Sequence, residues 1–472
     1  MSKFRLNLMS VAVGVLMPLL SAGAVSAGEL KPRIVVLTDV APQDVEPDDM
    51  ESLVRLLAHA DLFEIEALVA TTGWNTDNYD PAWLDYMMQV VDAYEKDLPN
   101  LMKRSGQKGF KSLKKESGKQ ETGYWPSADY IRSRISYGSK SRGRKVLGDD
   151  NNSDGSEAII TLAEEKDPRP LWVLVWGGGN TVAQSLWKLK ESGDTARLGR
   201  VLDKIRIYTI TDQDEGWDWK PKYDFSSHKW MRENFGDRLK FIWDESAWLS
   251  QNSIGADNWP EYARLIQGKG HMGKIYPKNR YGVEGDTPSF LYVFPNGLNN
   301  PEDPLQVSWG GYFAKMLSPD GVTECYTNAR DDVRAVSNKY EHYFYPAVFN
   351  SFVSRMAWAD AGAGNRNPVA VVNGKTGTAP IRVKARAGSL VTLDASKTYD
   401  PDGDAVEIRW WKVPEAAAAA ADIYIPEAAA AAKLYLPIPA DSKGKSLHVI
   451  CEVTDNGDVP LTSYRRVIID II

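Results

Sequence analysis

The feature that most constrains the fold is a repeated succession of short apolar stretches and segments with helical apolar spacing. Buried strands are predicted over 33–39, 65–72, 171–176 and 205–210, with a further short strand over 241–243. Helices are predicted between them, over 48–60, 81–94 and 181–189. Strands that alternate with helices in this way form a doubly wound, mostly parallel α/β sheet.

The predicted strands end beside polar residues or glycine, namely Asp39, Thr72, Gly177 and Asp212. The carboxyl ends of parallel strands lie along one edge of a sheet, and ligands of doubly wound folds bind at that edge. The sequence therefore predicts the functional site there.

The character of the chain changes near Ala361, where the linker-like sequence A-G-A-G-N-R-N-P begins. Short alternating strands follow, which predicts a small all-β, Ig-like sandwich. We therefore expect an α/β domain over residues 28–362 and a β-sandwich domain over residues 366–472.

The first 27 residues have the pattern of a bacterial signal peptide. Lys3 and Arg5 precede an apolar stretch from Leu8 to Leu20, and small residues precede a cleavage position after Ala27. Because no other stretch is apolar enough to span a bilayer, we expect a secreted or periplasmic protein with no membrane insertion after signal removal.

Composition narrows the class of protein further. With 43% hydrophobic and 10% aromatic residues, the chain is not intrinsically disordered. Its net charge of −7 becomes more negative without Lys3 and Arg5, which argues against a nucleic-acid partner. The two cysteines, Cys325 and Cys451, fall in different predicted domains, so we expect two unpaired buried thiols.

The segment from Asp39 to Asp49, D-V-A-P-Q-D-V-E-P-D-D, concentrates carboxylates between a strand and a helix. Carboxylates that converge on one point repel each other unless a cation or a shared proton offsets their charge. Oxygen ligands of this kind suit Ca²⁺ or Mg²⁺. The alternative interpretation is an acidic helix start at Asp48 and Asp49, favoured by the helix dipole.

Several motifs carry a resemblance to a known family. They are E-P-D-D-M-E-S-L-V-R-L-L (46–57), W-G-G-G-N-T-V-A-Q-S-L (176–186), T-I-T-D-Q-D (209–214), E-G-D-T-P-S-F-L (284–291), N-G-L-N-N-P-E-D-P (296–304), W-G-G-Y-F (309–313), V-T-D-N-G (453–457) and S-Y-R-R-V-I (463–468). The chain resembles a secreted bacterial family of cellulose-binding proteins with a nucleoside hydrolase-like domain and a C-terminal β-domain. That resemblance implies an oligo- or polysaccharide partner.

In nucleoside hydrolases a Ca²⁺ ion holds the sugar diol and the attacking water, and an aspartate acts as general base. The resemblance implies that Asp39, Asp49 and the backbone carbonyl of Gly179 would bind the metal, and that Asp48 would contact a diol or act as base. It further implies that Asn75 contacts substrate hydroxyls, and it places Asn180 in a Thr-Asn position of those enzymes.

The sequence also departs from the nucleoside hydrolase pattern. The loop between Asp39 and Asp48 is longer, so Asp44 is an alternative member of the cluster. Ser351 stands where the resemblance implies the last carboxylate ligand, which weakens the expected Ca²⁺ binding. No histidine is evidently placed to protonate a nucleobase.

Two further acidic loops can supply the pair of carboxyls that glycoside hydrolysis needs. The first contains Asp212 and Asp214, and the second contains Glu284 and Asp286. Tryptophans neighbour these loops and have flat faces that can stack on sugar rings. The predicted catalytic residues are therefore Asp39, Asp48, Asp49 and Asp286, and the predicted substrate-binding residues are Trp74, Asn75, Asn180, Asp212, Asp214, Trp217, Glu284 and Trp309.

Three functions follow from these observations. The first is an exported hydrolase that cleaves glycosidic bonds of wall-type saccharides, with the aspartate cluster activating water directly or through a divalent cation. The second is a non-catalytic carbohydrate-binding, or cellulose-binding, protein on the same fold. The third is a periplasmic nucleoside N-ribohydrolase. The oligomeric state is not predicted.

Overall fold

The computed structural model describes residues 29–73, 80–111, 120–214, 222–416, 423–425 and 429–472. The predicted signal segment lies outside these residues, as do Trp74, Asn75 and Trp217.

The larger part of the described chain is built on an eight-stranded sheet. Its strand order is β3-β2-β1-β4-β5-β6-β8-β7, and every neighbouring pair is parallel except β7 and β8. The predicted α/β fold is therefore confirmed. The strands are β1 (Arg33–Thr38), β2 (Glu64–Ala70), β3 (Ile135–Tyr137), β4 (Leu171–Val175), β5 (Ile205–Ile210), β6 (Phe241–Asp244), β7 (Ala314–Leu317) and β8 (Glu324–Thr327).

Helices cover both faces of the sheet. They are α1 (Pro47–Ala58), α2 (Leu84–Ser105), α3 (Ala128–Arg132), α4 (Asp154–Glu164), α5 (Asn180–Glu191), α6 (Thr195–Lys204), α7 (Ser227–Phe235), α8 (Ala247–Asp257), α9 (Trp259–Leu265), α10 (Gly270–Ile275), α11 (Thr287–Tyr292) and α12 (Asp331–Ala361). Along β1, Ile34 and Val36 join one core with α1, α2 and α12, whereas Val35 and Leu37 join a second core with α4 to α7. Two-sided burial explains why the central strands read as continuous apolar runs.

The second predicted helix differs most from the structure. Helix α2 begins at Leu84, after a short 3₁₀ turn at 81–83, and it continues to Ser105 rather than ending at 94. Buried Leu98 and Leu101 extend its apolar face beyond the predicted end. Pro99 is accommodated inside the helix.

The C-terminal region is all-β, as predicted. Five strands form a sheet of order β12-β11-β14-β15-β9, and β10 pairs with β13 in a second sheet. The Ig-like assignment and the exact domain limits stay predictions. The strands are β9 (Ile381–Ala385), β10 (Leu390–Asp394), β11 (Val406–Lys412), β12 (Ala429–Ala430), β13 (Lys433–Pro437), β14 (Ser446–Asp455) and β15 (Thr462–Ile471).

The β-region packs closely on the α/β region. Trp410 is buried inside the β-region, whereas Trp411 on the opposite face stacks on Tyr340 of α12 with ring centroids 6.3 Å apart. The backbone of β15 also contacts the α/β region, because the Tyr464 N–H donates a hydrogen bond to Asn296 O at 3.0 Å. The outward tryptophan of this pair therefore serves the contact between the regions.

Both cysteines are buried and unpaired, as predicted. Within the described residues, no helix combines the length and the apolar character needed to cross a membrane.

Candidate functional site

The candidate site is an acidic cluster at the carboxyl edge of the parallel sheet. Glu46, Asp48 and Asp49 each offer a carboxylate oxygen, and these atoms lie within 4.8 Å of one another. Pro47 starts α1 directly after the β1 loop, which places Asp48 and Asp49 in the first turn of the helix. This group can hold a metal ion.

Asp39 and Asp286 lie close enough to these three residues for the charges of the carboxylates to affect one another. Burial, and then the charge of Asp48, raise the pKa of Asp39 to about 8, while Arg142 acts in the opposite direction. Burial, and then the charges of Asp49, Asp48 and Asp39, raise the pKa of Asp286 well above its usual value. The cluster therefore draws carboxyls from β1, α1 and the residue before α11.

The same causes act on the other members. Burial and the charges of Asp39 and Asp48 raise the pKa of Asp49, although the Thr38 hydroxyl donates to its Oδ1 and partly offsets this. Burial, and then Asp48, also raise the pKa of Glu46. Charged carboxylates are unfavourable together in such a place unless protons or a cation offset them.

Glycines allow the backbone to approach Asp39 closely. A Cβ added at Gly73 would lie 1.8 Å from Asp39 Oδ2, and one at Gly177 would lie 2.8 Å from Asp39 Oδ1. A side chain at either position would displace the carboxylate. The glycines after β2 and β4, which have no side chain, therefore leave the space that the Asp39 carboxylate occupies.

Six buried oxygen atoms around the cluster have no hydrogen-bond partner among the described residues. They are Glu51 Oε1, Thr72 Oγ1, Asn180 Oδ1, Gln213 Oε1, Asn252 Oδ1 and Asp286 Oδ2. Buried polar atoms are normally paired, so these unpaired oxygen atoms point to a ligand. Oxygen ligands at this density fit a hard divalent cation, with places left for hydroxyl donors.

Ser351 does not lie at the cluster, which corrects the expectation that it replaces the last carboxylate ligand. Its Oγ is 3.1 Å from Nε2 of His59, the residue after the C-terminal end of α1. The acidic residues occupy the other end of that helix, about 16 Å away at 1.5 Å per residue. Asp286 supplies the additional carboxylate instead.

Asp44 does not join the cluster either. It lies exposed in a turn of the β1–α1 loop, whereas Glu46 is half-buried beside Asp48. The longer loop thus contributes a glutamate, which the sequence analysis did not assign.

Asp212 and Asp214 lie at the expected edge but bind protein donors. Asp214 accepts the Gly143 N–H at 3.1 Å through Oδ1 and the Ser227 N–H at 2.8 Å through Oδ2. Asp212 accepts the Asp214 N–H at 3.2 Å and the Ser226 hydroxyl. Both aspartates fix loops of the site, and their direct contact with substrate stays a prediction.

The side chains of Glu284 and Trp309 likewise bind or pack against other residues of the protein. Glu284 is fully buried, pairs with Arg55 and accepts the Tyr276 hydroxyl at 2.9 Å. Trp309 is only 5% exposed, and its ring lies 4.9 Å from that of Phe294. The structure therefore contradicts the expectation that Trp309 offers a free face to sugar, because the β-region covers it.

Gly179 and Asn180 begin helix α5 beside the site. The Gly179 carbonyl accepts the Ala183 N–H at 3.0 Å, and a Cβ at Gly179 would lie 2.3 Å from His228 Nε2. Burial lowers the pKa of His228 to about 4, so this imidazole is neutral near pH 7. Metal binding by the Gly179 carbonyl stays a prediction.

Three residues around the cluster were not assigned from sequence: Glu51, Gln213 and Asn252. Thr72 was expected at this edge as the end of a predicted strand, and a signal existed for Gln213 because it follows another predicted strand. None existed for Asn252, which comes from α8 and lies 3.0 Å from the place of an added Cβ at Gly285.

A parallel α/β sheet with a carboxylate cluster between β1 and α1 defines a nucleoside hydrolase-like class of protein. The chain belongs to the family described as "Cellulose-binding Sde182, nucleoside hydrolase-like domain", which matches residues 33–313. A second family, "Cellulose-binding protein Sde0182, C-terminal domain", matches residues 390–471.

The solved structure of a relative agrees with this assignment. A nucleoside hydrolase-related hypothetical protein from Saccharophagus degradans, described as associated with carbohydrate metabolism, is 30% identical, with a TM-score of 0.78 over 94% of this chain and 100% of its own. The type III effector protein XopQ, solved with adenosine diphosphate ribose, is 12% identical with a TM-score of 0.32 over 71% of this chain and 94% of its own, which is too weak to carry an argument. A comparison with curated proteins finds no match.

Proposed function

We propose that the protein is an exported hydrolase that cleaves glycosidic bonds of wall-type polysaccharides with the help of a divalent cation, Ca²⁺ by preference. The observation that carries this proposal is the buried carboxylate cluster together with its unpartnered oxygen atoms. The family description as cellulose-binding and the relative's association with carbohydrate metabolism support a saccharide as partner.

The residues of the cluster divide into two roles. Asp39, Asp49 and Asp286 are deeply buried and would hold the cation together with Glu46, whereas Asp48 is half-buried and reaches solvent. When bound, the cation supplies positive charge that orients water and stabilises negative charge in the transition state. Asp48 is then the carboxylate placed to accept the proton of the attacking water.

A non-catalytic polysaccharide-binding protein is the second candidate. The observation that favours it is that Asp212, Asp214 and Glu284 all accept hydrogen bonds from the protein itself. None of these three carboxylates is thus evident as proton donor to a leaving alcohol. Nucleoside hydrolysis is less favoured, because His228 is buried and neutral.

The experiment is calorimetry of CaCl₂ binding to the full chain, followed by incubation with microcrystalline cellulose in CaCl₂ or EDTA. Calcium binding with calcium-dependent release of soluble sugar supports the hydrolase. Co-sedimentation with cellulose without sugar release supports the binding protein. Release of free base from inosine would support the nucleoside hydrolase, and absence of calcium binding would overturn the cation-dependent mechanism.

Calcium should stabilise the protein more strongly near pH 8 than at about pH 5. In the metal-free protein, burial raises the pKa of Asp39 from 3.8 to about 8. The folded state then keeps a proton that the unfolded state has lost, so metal-free stability falls as pH rises through this window. A cation binds the deprotonated cluster and offsets that loss. Thermal melting with and without CaCl₂ measures the effect, and an equal calcium-induced shift at both pH values would contradict it.

A further inference from the structure

The amide groups of Gln213 and Asn180 have fixed orientations in the candidate site. Gln213 Nε2 donates to the carbonyl oxygen of Trp176, and Asn180 Nδ2 donates to the carbonyl oxygen of Ser141. A carbonyl oxygen only accepts hydrogen bonds, so each amide nitrogen must face it. Rotation of either amide would break its bond, and the amide oxygens are therefore held on the opposite side.

Gln213 Oε1 lies beside Asp39 of the acidic cluster, whereas Asn180 Oδ1 lies beside Asp214. A Cβ added at Gly73 would lie 2.6 Å from Gln213 Oε1 and 1.8 Å from Asp39 Oδ2, so these two oxygens are neighbours. One at Gly178 would lie 3.1 Å from Asn180 Oδ1 and 3.0 Å from Asp214 Oδ1.

The side chains of Gln213 and Asn180 form a buried wall of the candidate site. Gln213 is 4% exposed and Asn180 is fully buried. Among the described residues, neither Gln213 Oε1 nor Asn180 Oδ1 receives a hydrogen bond. These two fixed and buried oxygen atoms, each beside a carboxylate, can therefore accept hydrogen bonds from a ligand.

The wall and the cluster together present hydrogen-bond acceptors. Amide oxygens and the ionised carboxylates of a cation-loaded cluster only accept, and Arg142 is a basic group whose charge acts on Asp39. Neutral sugar hydroxyls can donate to the two amide oxygens while the buried carboxylates hold the cation. A uronate or a phosphorylated sugar would instead bring a further acceptor and a negative charge against them, which costs binding free energy.

We infer that Gln213, with Asn180, determines specificity at this site and selects neutral saccharides over acidic ones. This inference rests on the proposed function, because it names the class of saccharide that the same site takes.

The first test compares two sugars of equal length on the calcium-loaded full chain by calorimetry. Cellotetraose should bind at least about 10-fold more tightly than tetragalacturonate. Equal affinity, or tighter binding of the acidic sugar, would overturn the inference while leaving the proposed function standing. If neither calcium nor either sugar binds, the proposed function itself fails.

The second test removes the acceptor with Gln213→Met, which should weaken the binding of cellotetraose to the calcium-loaded protein about 10-fold. Gln184→Met is the matched control, because Gln184 is buried one turn of α5 beyond Asn180 and its amide is already bonded to Gly148 and Asn152. Unchanged cellotetraose affinity in Gln213→Met would overturn the role of Gln213. If Gln213→Met does not fold, the comparison of the two sugars on the wild type still decides.

Discussion

Asp49→Asn lowers the affinity for calcium about 100-fold or more, yet the metal-free variant melts at a higher temperature than the metal-free wild type. Asparagine keeps the shape of the side chain, and its Oδ1 can still accept the Thr38 hydroxyl. The substitution removes a charge that burial and the neighbouring Asp39 and Asp48 make unfavourable. Calorimetry with CaCl₂ and thermal melting in EDTA measure the two effects.

Asp44→Asn is the matched control for that prediction. It removes an aspartate of the same loop, but Asp44 is exposed and lies outside the cluster. Calcium affinity and melting temperature should therefore both stay near the wild-type values. A metal-free Asp49→Asn protein that melts below the wild type would indicate that Asp49 serves folding rather than cation binding.

The opposite signs of these effects are the signature of a functional site. Replacing a residue that stabilises the fold lowers the stability of the protein. A residue that serves function, in contrast, often destabilises the protein when the ligand is absent. The carboxylate cluster has this second character, because burial opposes the charge of Asp39, Asp49 and Asp286.

Local patterns were sufficient to predict the frame of this site. The apolar run from Arg33 to Thr38 is buried on both faces, and the carboxylates that follow it lie between β1 and α1 as expected. Strand ends and helix starts depend on residues near in sequence, which is why Asp39, Asp48 and Asp49 could be placed together.

Contacts between distant segments were not predictable in the same way. Asp286 reaches the cluster because α11 packs beside α1. Ser351 was aligned with the last metal ligand because of the residues next to it in sequence. Its position on α12 instead places it beside His59, at the C-terminal end of α1. Trp309 neighbours acidic residues in sequence, while the packing of the β-region on the α/β region decides its burial.

Gly297→Ala destabilises the protein by about 3 kcal/mol or more. Gly297 has a φ of +86°, and an added Cβ would lie 2.0 Å from the carbonyl oxygen of Tyr464 in β15. The substitution would also push apart two backbone hydrogen bonds, from Tyr464 N–H to Asn296 O at 3.0 Å and from Arg466 N–H to Gly297 O at 3.1 Å. Differential scanning calorimetry of the full chain measures the loss.

Gly321→Ala separates the two causes of that loss. Gly321 has a φ of +74°, but nothing lies within 4 Å of an added Cβ, so only the backbone strain of about 1–2 kcal/mol applies. The larger cost at Gly297 must then come from the contact with β15, whose Arg466 also donates from Nε to Leu298 O. Equal destabilisation by both substitutions would show that the β-region does not depend on this contact. A greater loss at Gly297 would establish that the β-region is fixed to the segment that follows α11, and thus to the helix next to Asp286.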